Sequence, residues 1–231
     1  QRHGEAVQEA AQQLSAGAAI LDRLAQPFEI CEQTLYVSAS AGVAIAPADG
    51  TTVEELIANA DLALYEAKSA GGRACRFFLP VLRAQAQARR GLDLELRRAR
   101  SNNLFELYYQ PQVRLKDGAV VGAEALLRWR HPERGILLPG LFIEALAASP
   151  IAHEVGCWIL LTACQQAVAW RAMGLPPVRM GVNLFPAQFR DGALVRDVQD
   201  ALAKTGLPPE ALELEITENI ALSHDEAMLA P

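Results

Sequence analysis

The chain has 231 residues, room for one large domain or two small ones at roughly 100–200 residues each. It is 51% hydrophobic and 21% charged, a soluble globular composition that excludes a disordered chain. The net charge of −6 excludes a broad non-specific nucleic-acid surface, so neither DNA nor RNA is expected as a partner. An anionic ligand would need a local basic residue or a metal. Cys31, Cys75, Cys157 and Cys164 have neither zinc-ligand nor disulfide-framework spacing. They read as reduced, mostly buried thiols of a cytoplasmic protein. No apolar run approaches the roughly 18 residues of a membrane span, and no signal peptide is recognisable. The first residue is Gln1 and not Met, as in a piece of a longer protein.

Helical spacing of Val7, Ala10, Leu14, Ala18, Leu21 and Leu24 predicts a helix over residues 5–26, stopped by Pro27. The β-branched and small residues from Leu35 to Ile45 predict one strand, closed by a turn at Pro47-Ala-Asp-Gly50. Thr52-Val-Glu-Glu55 has the spacing of a capping box and opens a helix that Gly71-Gly72 ends. A short strand over residues 73–79 follows. Residues 80–102 are basic, with six arginines, and amphipathic through Leu82, Leu92, Leu96 and Ala99. They read as a connecting helix, either solvated or in contact with an anionic surface. From Phe105 onward strands and helices alternate. Strands are expected at 105–113, 123–129, 178–184 and 211–218. Helices are expected at 139–148, 151–173 and 192–205, with a last one from about Ser223. Such alternation implies a parallel sheet covered by helices, open or closed into a barrel.

Three of these strands carry an oxygen-bearing side chain among apolar neighbours near their C-terminal ends. Glu124 shares one strand face with Leu126 and Arg128, Asn183 closes Met180-Gly-Val-Asn-Leu184, and Glu215 shares a face with Glu213. In α/β barrels the strand ends build the site. Glu, Asn and Glu are hard oxygen ligands that suit Mg²⁺ or Mn²⁺, and no His or Cys accompanies them for zinc. Arg128 suits a phosphate. Each residue also has a plainer reading: a Glu124–Arg128 ion pair across the face, or Asn183 capping a loop. For Glu215 burial of an unpaired carboxylate is unusual.

Four motifs in order, Tyr109-Gln-Pro111, Glu124-Ala-Leu-Leu-Arg128-Trp-Arg-His-Pro132, Val182-Asn-Leu184 and Glu215-Ile-Thr-Glu218, resemble the EAL family of cyclic di-GMP phosphodiesterases. The first half resembles the C-terminal part of a GGDEF (diguanylate cyclase) domain through Ser38-Ala-Ser-Ala-Gly-Val-Ala-Ile45, Pro47-Ala-Asp-Gly50 and Ala60-Asp-Leu-Ala-Leu-Tyr-Glu-Ala-Lys68. The fold this implies is α/β: a truncated EAL-type (β/α) barrel preceded by an α+β GGDEF remnant. The implied domains are a GGDEF part over 1–79, a linker helix over 80–103 and an EAL part over 104–231.

The resemblance implies metal-dependent hydrolysis of cyclic di-GMP to linear diguanylate as the parent activity. The alternative is a non-catalytic cyclic di-GMP receptor or regulatory module. Glu124, Asn183 and Glu215 would be the metal ligands, for Mg²⁺ or Mn²⁺. Glu218 would hold a later loop and joins Glu124 and Glu215 as a catalytic candidate. Gln110, Leu126 and Arg128 would line the dinucleotide site. Lys68 would meet GTP phosphates or stand as a solvated helix-end lysine. From Phe105 the chain runs 127 residues, against about 250 for a usual (β/α)₈ barrel. The family's paired aspartates and catalytic lysine lie beyond residue 231, so the 231-residue chain is expected not to hydrolyse cyclic di-GMP. Exposed strand faces such as Leu212, Leu214 and Ile216 are expected to favour a homodimer.

Overall fold

The computed structural model describes residues 17–216 apart from 18 and 32. The expected last helix and Glu218 lie outside the described residues. The chain divides into two units at Arg90/Gly91, each described by itself below.

In the first unit a hairpin pairs β1 (Phe28–Ile30) with β2 (Gln33–Leu35), antiparallel. The single strand expected over 35–45 is therefore two short ones. Residues 36–40 belong to no strand, and β3 begins only at Ala41 (Ala41–Val43). β3 runs parallel to β4 (Cys75–Phe77), and α1 (Val53–Ser69) makes the crossover between them. Thr52 caps α1 as the sequence predicts: its hydroxyl accepts from Glu55 N at 3.2 Å, and the Glu55 carboxylate accepts from the Thr51 and Thr52 amides. These donors hold the Glu55 carboxyl below the usual carboxylate range. Gly42 is dictated by packing, since a Cβ there would collide with the backbone of α1 at Ala60 and Leu64. Lys68 is exposed in the last turn of α1. Arg89 stacks over Tyr65.

The expected basic helix is α2 (Pro80–Ser101), and the boundary between the units falls inside it. Its last turns bury Leu96 and Ala99 in the core of the second unit. Its arginines there meet carboxylates of the protein itself: Arg97 pairs with Asp93 and Arg100 with Glu154, both at 2.9 Å. That favours the solvated reading of the helix over an anionic surface.

The second unit holds one five-stranded sheet in the order β5 (Phe105–Val113), β6 (Val120–His131), β8 (Arg179–Asn183), β9 (Leu212–Glu215), with β7 (Gly135–Leu137) paired to β6. The expectation of a wholly parallel sheet is corrected here. β6–β8 and β8–β9 are parallel, but β5–β6 and β6–β7 are antiparallel. The reason is connection length. Only residues 114–119 join β5 to β6, too few for a crossover, so the chain turns back at Gly118 (φ +71°) as a hairpin. Longer connections carry the parallel pairs: α3 (Ile143–Ala148) and α4 (Ala152–Ala172) between β6 and β8, and α5 (Ala193–Thr205) between β8 and β9.

One sheet face is the core. Phe105, Ala125, Leu127, Trp129, Met180 and Val182 pack with Val155, Ile159, Leu160 and Ala163 of α4. Each fully buried large side chain contributes about 1.5–3 kcal/mol. Tyr109 joins this face, its ring edge-on to Trp170 at 5.0 Å, and burial pushes its phenol up to about 12. Leu212 packs against the same core, whereas Leu214 and Ile216 are exposed, so only two of the three expected apolar residues are. The cysteines are also more accessible than expected. Cys31 is exposed, Cys75 and Cys157 are half-buried, and only Cys164 is buried. All four are free thiols. No helix among the described residues is long and apolar enough to cross a membrane.

Candidate active site

The other sheet face is polar. Residues directly opposite each other across a sheet point to the same side, so the register defines the set. Gln112 faces Gly122, Gln110 faces Glu124, Tyr108 faces Leu126, and Glu106 faces Arg128. Glu124 in turn faces Gly181, which faces Glu213, and Asn183 faces Glu215.

Three of these side chains meet. Asn183 Nδ2 donates to Glu124 Oε1 at 2.8 Å, and Glu215 stands beside this pair, opposite Asn183 in the register. Burial pushes the Glu215 carboxyl above its ordinary value, and the charges of Glu124 and Glu213 add to the rise. Glu213 is paired with Arg179 at 3.3 Å, which leaves Glu124 and Glu215 as two neighbouring carboxylates whose charge a divalent cation would neutralise. Turning the Asn183 amide by half a turn would present Oδ1 where Nδ2 now lies, completing an all-oxygen donor set. The residues therefore fit a hard cation such as Mg²⁺ or Mn²⁺.

Asn183 and Glu215 close β8 and β9, but Glu124 lies within the first half of β6. What ends near Glu124 is the parallel pairing with β8, whose last pair is Ala125↔Val182. Beyond that point β6 leaves the parallel sheet and pairs only with β5 and β7, opening a gap. A largely apolar cavity of about 220 Å³ lies there, lined by Leu126, Asn183, Phe185, Ile143, Ile159 and neighbours.

Both plainer readings fail on geometry. Arg128 makes no ion pair with Glu124. Its Nη1 donates to Leu127 O at 2.9 Å and its guanidinium lies 5.3 Å from the Tyr108 ring centroid. Among the described residues no carboxylate pairs with it, leaving its charge available on the polar face. Asn183 bonds Glu124 and, among the described residues, caps no loop. Gln110 lies opposite Glu124, and Leu126 lines the cavity, so both sit beside the cluster; Arg128, four residues along the strand, is about 13 Å further on.

Two residues escape the sequence argument. A Cβ on Gly181 would lie 2.5 Å from Glu215 Oε1, so this glycine makes the space the carboxylate occupies. An isolated glycine inside a strand was the available signal. Gln188, fully buried, accepts from Phe185 N at 2.9 Å and pins the loop that follows Asn183. Gly156 on α4 leaves the space for it.

The family model for the EAL domain matches residues 93–230, and that for the diguanylate cyclase GGDEF domain matches residues 4–74. The chain belongs to the EAL domain family. A GGDEF part precedes its EAL part, as in related GGDEF–EAL proteins. Over 200 residues it is 42% identical to an uncharacterized signaling protein of Caulobacter vibrioides, covering 87% of this chain and 24% of that protein. Over 210 residues it is 38% identical to the bifunctional diguanylate cyclase/cyclic di-GMP phosphodiesterase MucR of Pseudomonas aeruginosa, covering 91% and 31%. The chain thus spans about a quarter to a third of the length of the curated relatives it matches. The solved MucR phosphodiesterase in complex with c-di-GMP aligns with a TM-score of 0.56 at 37% identity, covering 60% of this chain and 56% of that one.

Proposed function

We propose that the EAL part binds cyclic di-GMP on the polar sheet face and, in the protein that carries this chain, hydrolyses it to the linear dinucleotide with Mg²⁺ or Mn²⁺. The observation that carries this reading is the meeting of Glu124, Asn183 and Glu215 at one point of that face. Those three side chains would hold the cation. A bound cation would neutralise the phosphodiester and lower the pKa of the attacking water.

The chain's own residues supply the rest. Glu124 and Glu215 fix two negative charges side by side, which sets the preference for a hard cation over a neutral donor. Arg128, held by Leu127 O and Tyr108 with no carboxylate partner, offers a guanidinium to a phosphate. Gln110 presents an amide beside Glu124, and Leu126 provides apolar surface at the neighbouring cavity. Gly181 keeps the Glu215 carboxyl in place. Similarity to MucR, named as a cyclic di-GMP phosphodiesterase, supports this substrate.

The test is conversion of cyclic di-GMP to the linear product by the longer protein that carries this chain, followed by anion-exchange chromatography with Mg²⁺ or Mn²⁺ present. Turnover that is lost in Glu124→Gln supports hydrolysis. Binding without turnover under the same conditions would instead make this a cyclic di-GMP receptor. Absence of both binding and turnover would overturn the reading.

A further inference from the structure

One group of side chains away from the polar face has no part in that reaction. His153 and Cys157 lie one turn apart on α4, so they project from the same flank of that helix. Asp197 on α5 comes to meet them. His153 Nε2 lies 2.8 Å from Asp197 Oδ2, and Cys157 Sγ lies 3.7 Å from the same Nε2. One donor atom from each residue falls within 4.8 Å of the other two, and all three residues are half-buried. They line a surface cavity of about 460 Å³.

Cys, His and Asp together serve two chemistries. In a nucleophilic relay the two imidazole nitrogens divide the work, one facing the thiol and the other the carboxylate. Here Nε2 is the nitrogen nearest to both, while Nδ1 is 4.0 Å from the sulfur. Convergence of three donors on one point suits a cation instead. We infer that His153, Cys157 and Asp197 form a site for one borderline-soft divalent cation of the Zn²⁺ class, which ties α4 to α5.

The distances agree with this. Tetrahedral zinc, with bonds of about 2.3 Å to sulfur and about 2.0–2.1 Å to nitrogen and oxygen, separates sulfur from nitrogen by about 3.6 Å and nitrogen from oxygen by about 3.3 Å. The Cys157–His153 separation already matches. The His153–Asp197 hydrogen bond would open by about half an ångström. On binding, Cys157 gives its proton to solvent, and the imidazole keeps one proton, on Nδ1. Because the three residues line the cavity, a water from it would supply a fourth ligand. The mixed sulfur, nitrogen and oxygen set separates this site from the all-oxygen cluster on the sheet. The spacing is i, i+4 on a helix, with the third ligand forty residues later on another helix.

Cobalt(II) is the probe, because thiolate coordination gives it a near-ultraviolet charge-transfer band. Co²⁺ is titrated into the reduced chain with excess Mg²⁺ present to occupy hard sites. One equivalent should produce that band and intense tetrahedral visible bands, and Zn²⁺ should bleach both. Cys157→Ser should abolish the charge-transfer band. His153→Gln and Asp197→Asn should each weaken binding at least about 10–100-fold, the cost that even outer-shell partners carry. Cys31→Ser should change nothing. Circular dichroism checks that the variants fold, and His153→Gln, on a partly exposed side chain, decides the matter if Cys157→Ser does not. No band at one equivalent, a band that survives Cys157→Ser, or unchanged affinity in His153→Gln would overturn the proposal.

Discussion

On β6, Ala123, Ala125, Leu127 and Trp129 are buried, while Gly122, Glu124, Leu126 and Arg128, interleaved with them, form the opposite face. The same alternation runs through β8, where Met180 and Val182 are buried and Gly181 and Asn183 belong to the polar side. The first face is shaped by volume: its residues are apolar and packed against α4. The second is shaped by charge. Burial there, and then the charges of Glu124 and Glu213, raise the Glu215 pKa, and small residues stand where side chains would obstruct the carboxylates. One strand thus serves stability with its odd-numbered residues and chemistry with its even-numbered ones. A substitution on either face should therefore move one property and spare the other.

The largest separation should come from Trp129→Ala. It removes a side chain that is 1% exposed and packs with Phe105 and Phe142. The expected loss is about 3–5 kcal/mol in urea unfolding. If the loss were under about 1 kcal/mol, the apolar face would not be the stabilising one. Gly181→Ala should act in the opposite sense. Its methyl displaces the Glu215 carboxyl, weakening Mn²⁺ binding by about tenfold or more, the scale set by outer-shell changes at metal sites. Its stability cost should stay near the common value of about 1 kcal/mol. Unchanged Mn²⁺ affinity would show that the carboxylate does not need that space.

The smallest effect concerns pH without added cation. The folded Glu215 carboxyl titrates above its unfolded value, so the folded state holds that proton more tightly. Its contribution to stability is complete below the ordinary carboxylate value and is lost as pH rises through the raised one. Urea midpoints from about pH 4 to about pH 7 should fall more in the wild type than in Glu215→Gln. Parallel curves would mean that the crowding of carboxylates costs nothing.

Much of this was legible in the residues. Apolar periodicity placed α4, α5 and β8 within a residue or two, and Thr52 with Glu55 placed the start of α1, because these signals are local. The meeting of Glu124, Asn183 and Glu215 followed from three strands each ending a pairing beside the next. Strand direction was misread where the connection, and not the strand, decides it: the six residues after Val113 force β5 back along β6. The strand over 35–45 broke because small residues at 38–40 carry no packing preference strong enough to hold a long ladder. Gly181 and the His153–Cys157–Asp197 group were missed because each depends on a neighbour distant in sequence.

The central claim is that Glu124, Asn183 and Glu215 act together as one hard-cation site. It is tested most directly by titrating Mn²⁺ into the chain and following the free ion by electron paramagnetic resonance, for the wild type and for Glu124→Gln, Asn183→Ala and Glu215→Gln. One Mn²⁺ should bind the wild type, Mg²⁺ should compete with it, and each substitution should weaken binding by at least about 10–100-fold while the fold persists. Equal Mn²⁺ binding by all four proteins, or none by the wild type, would contradict the account.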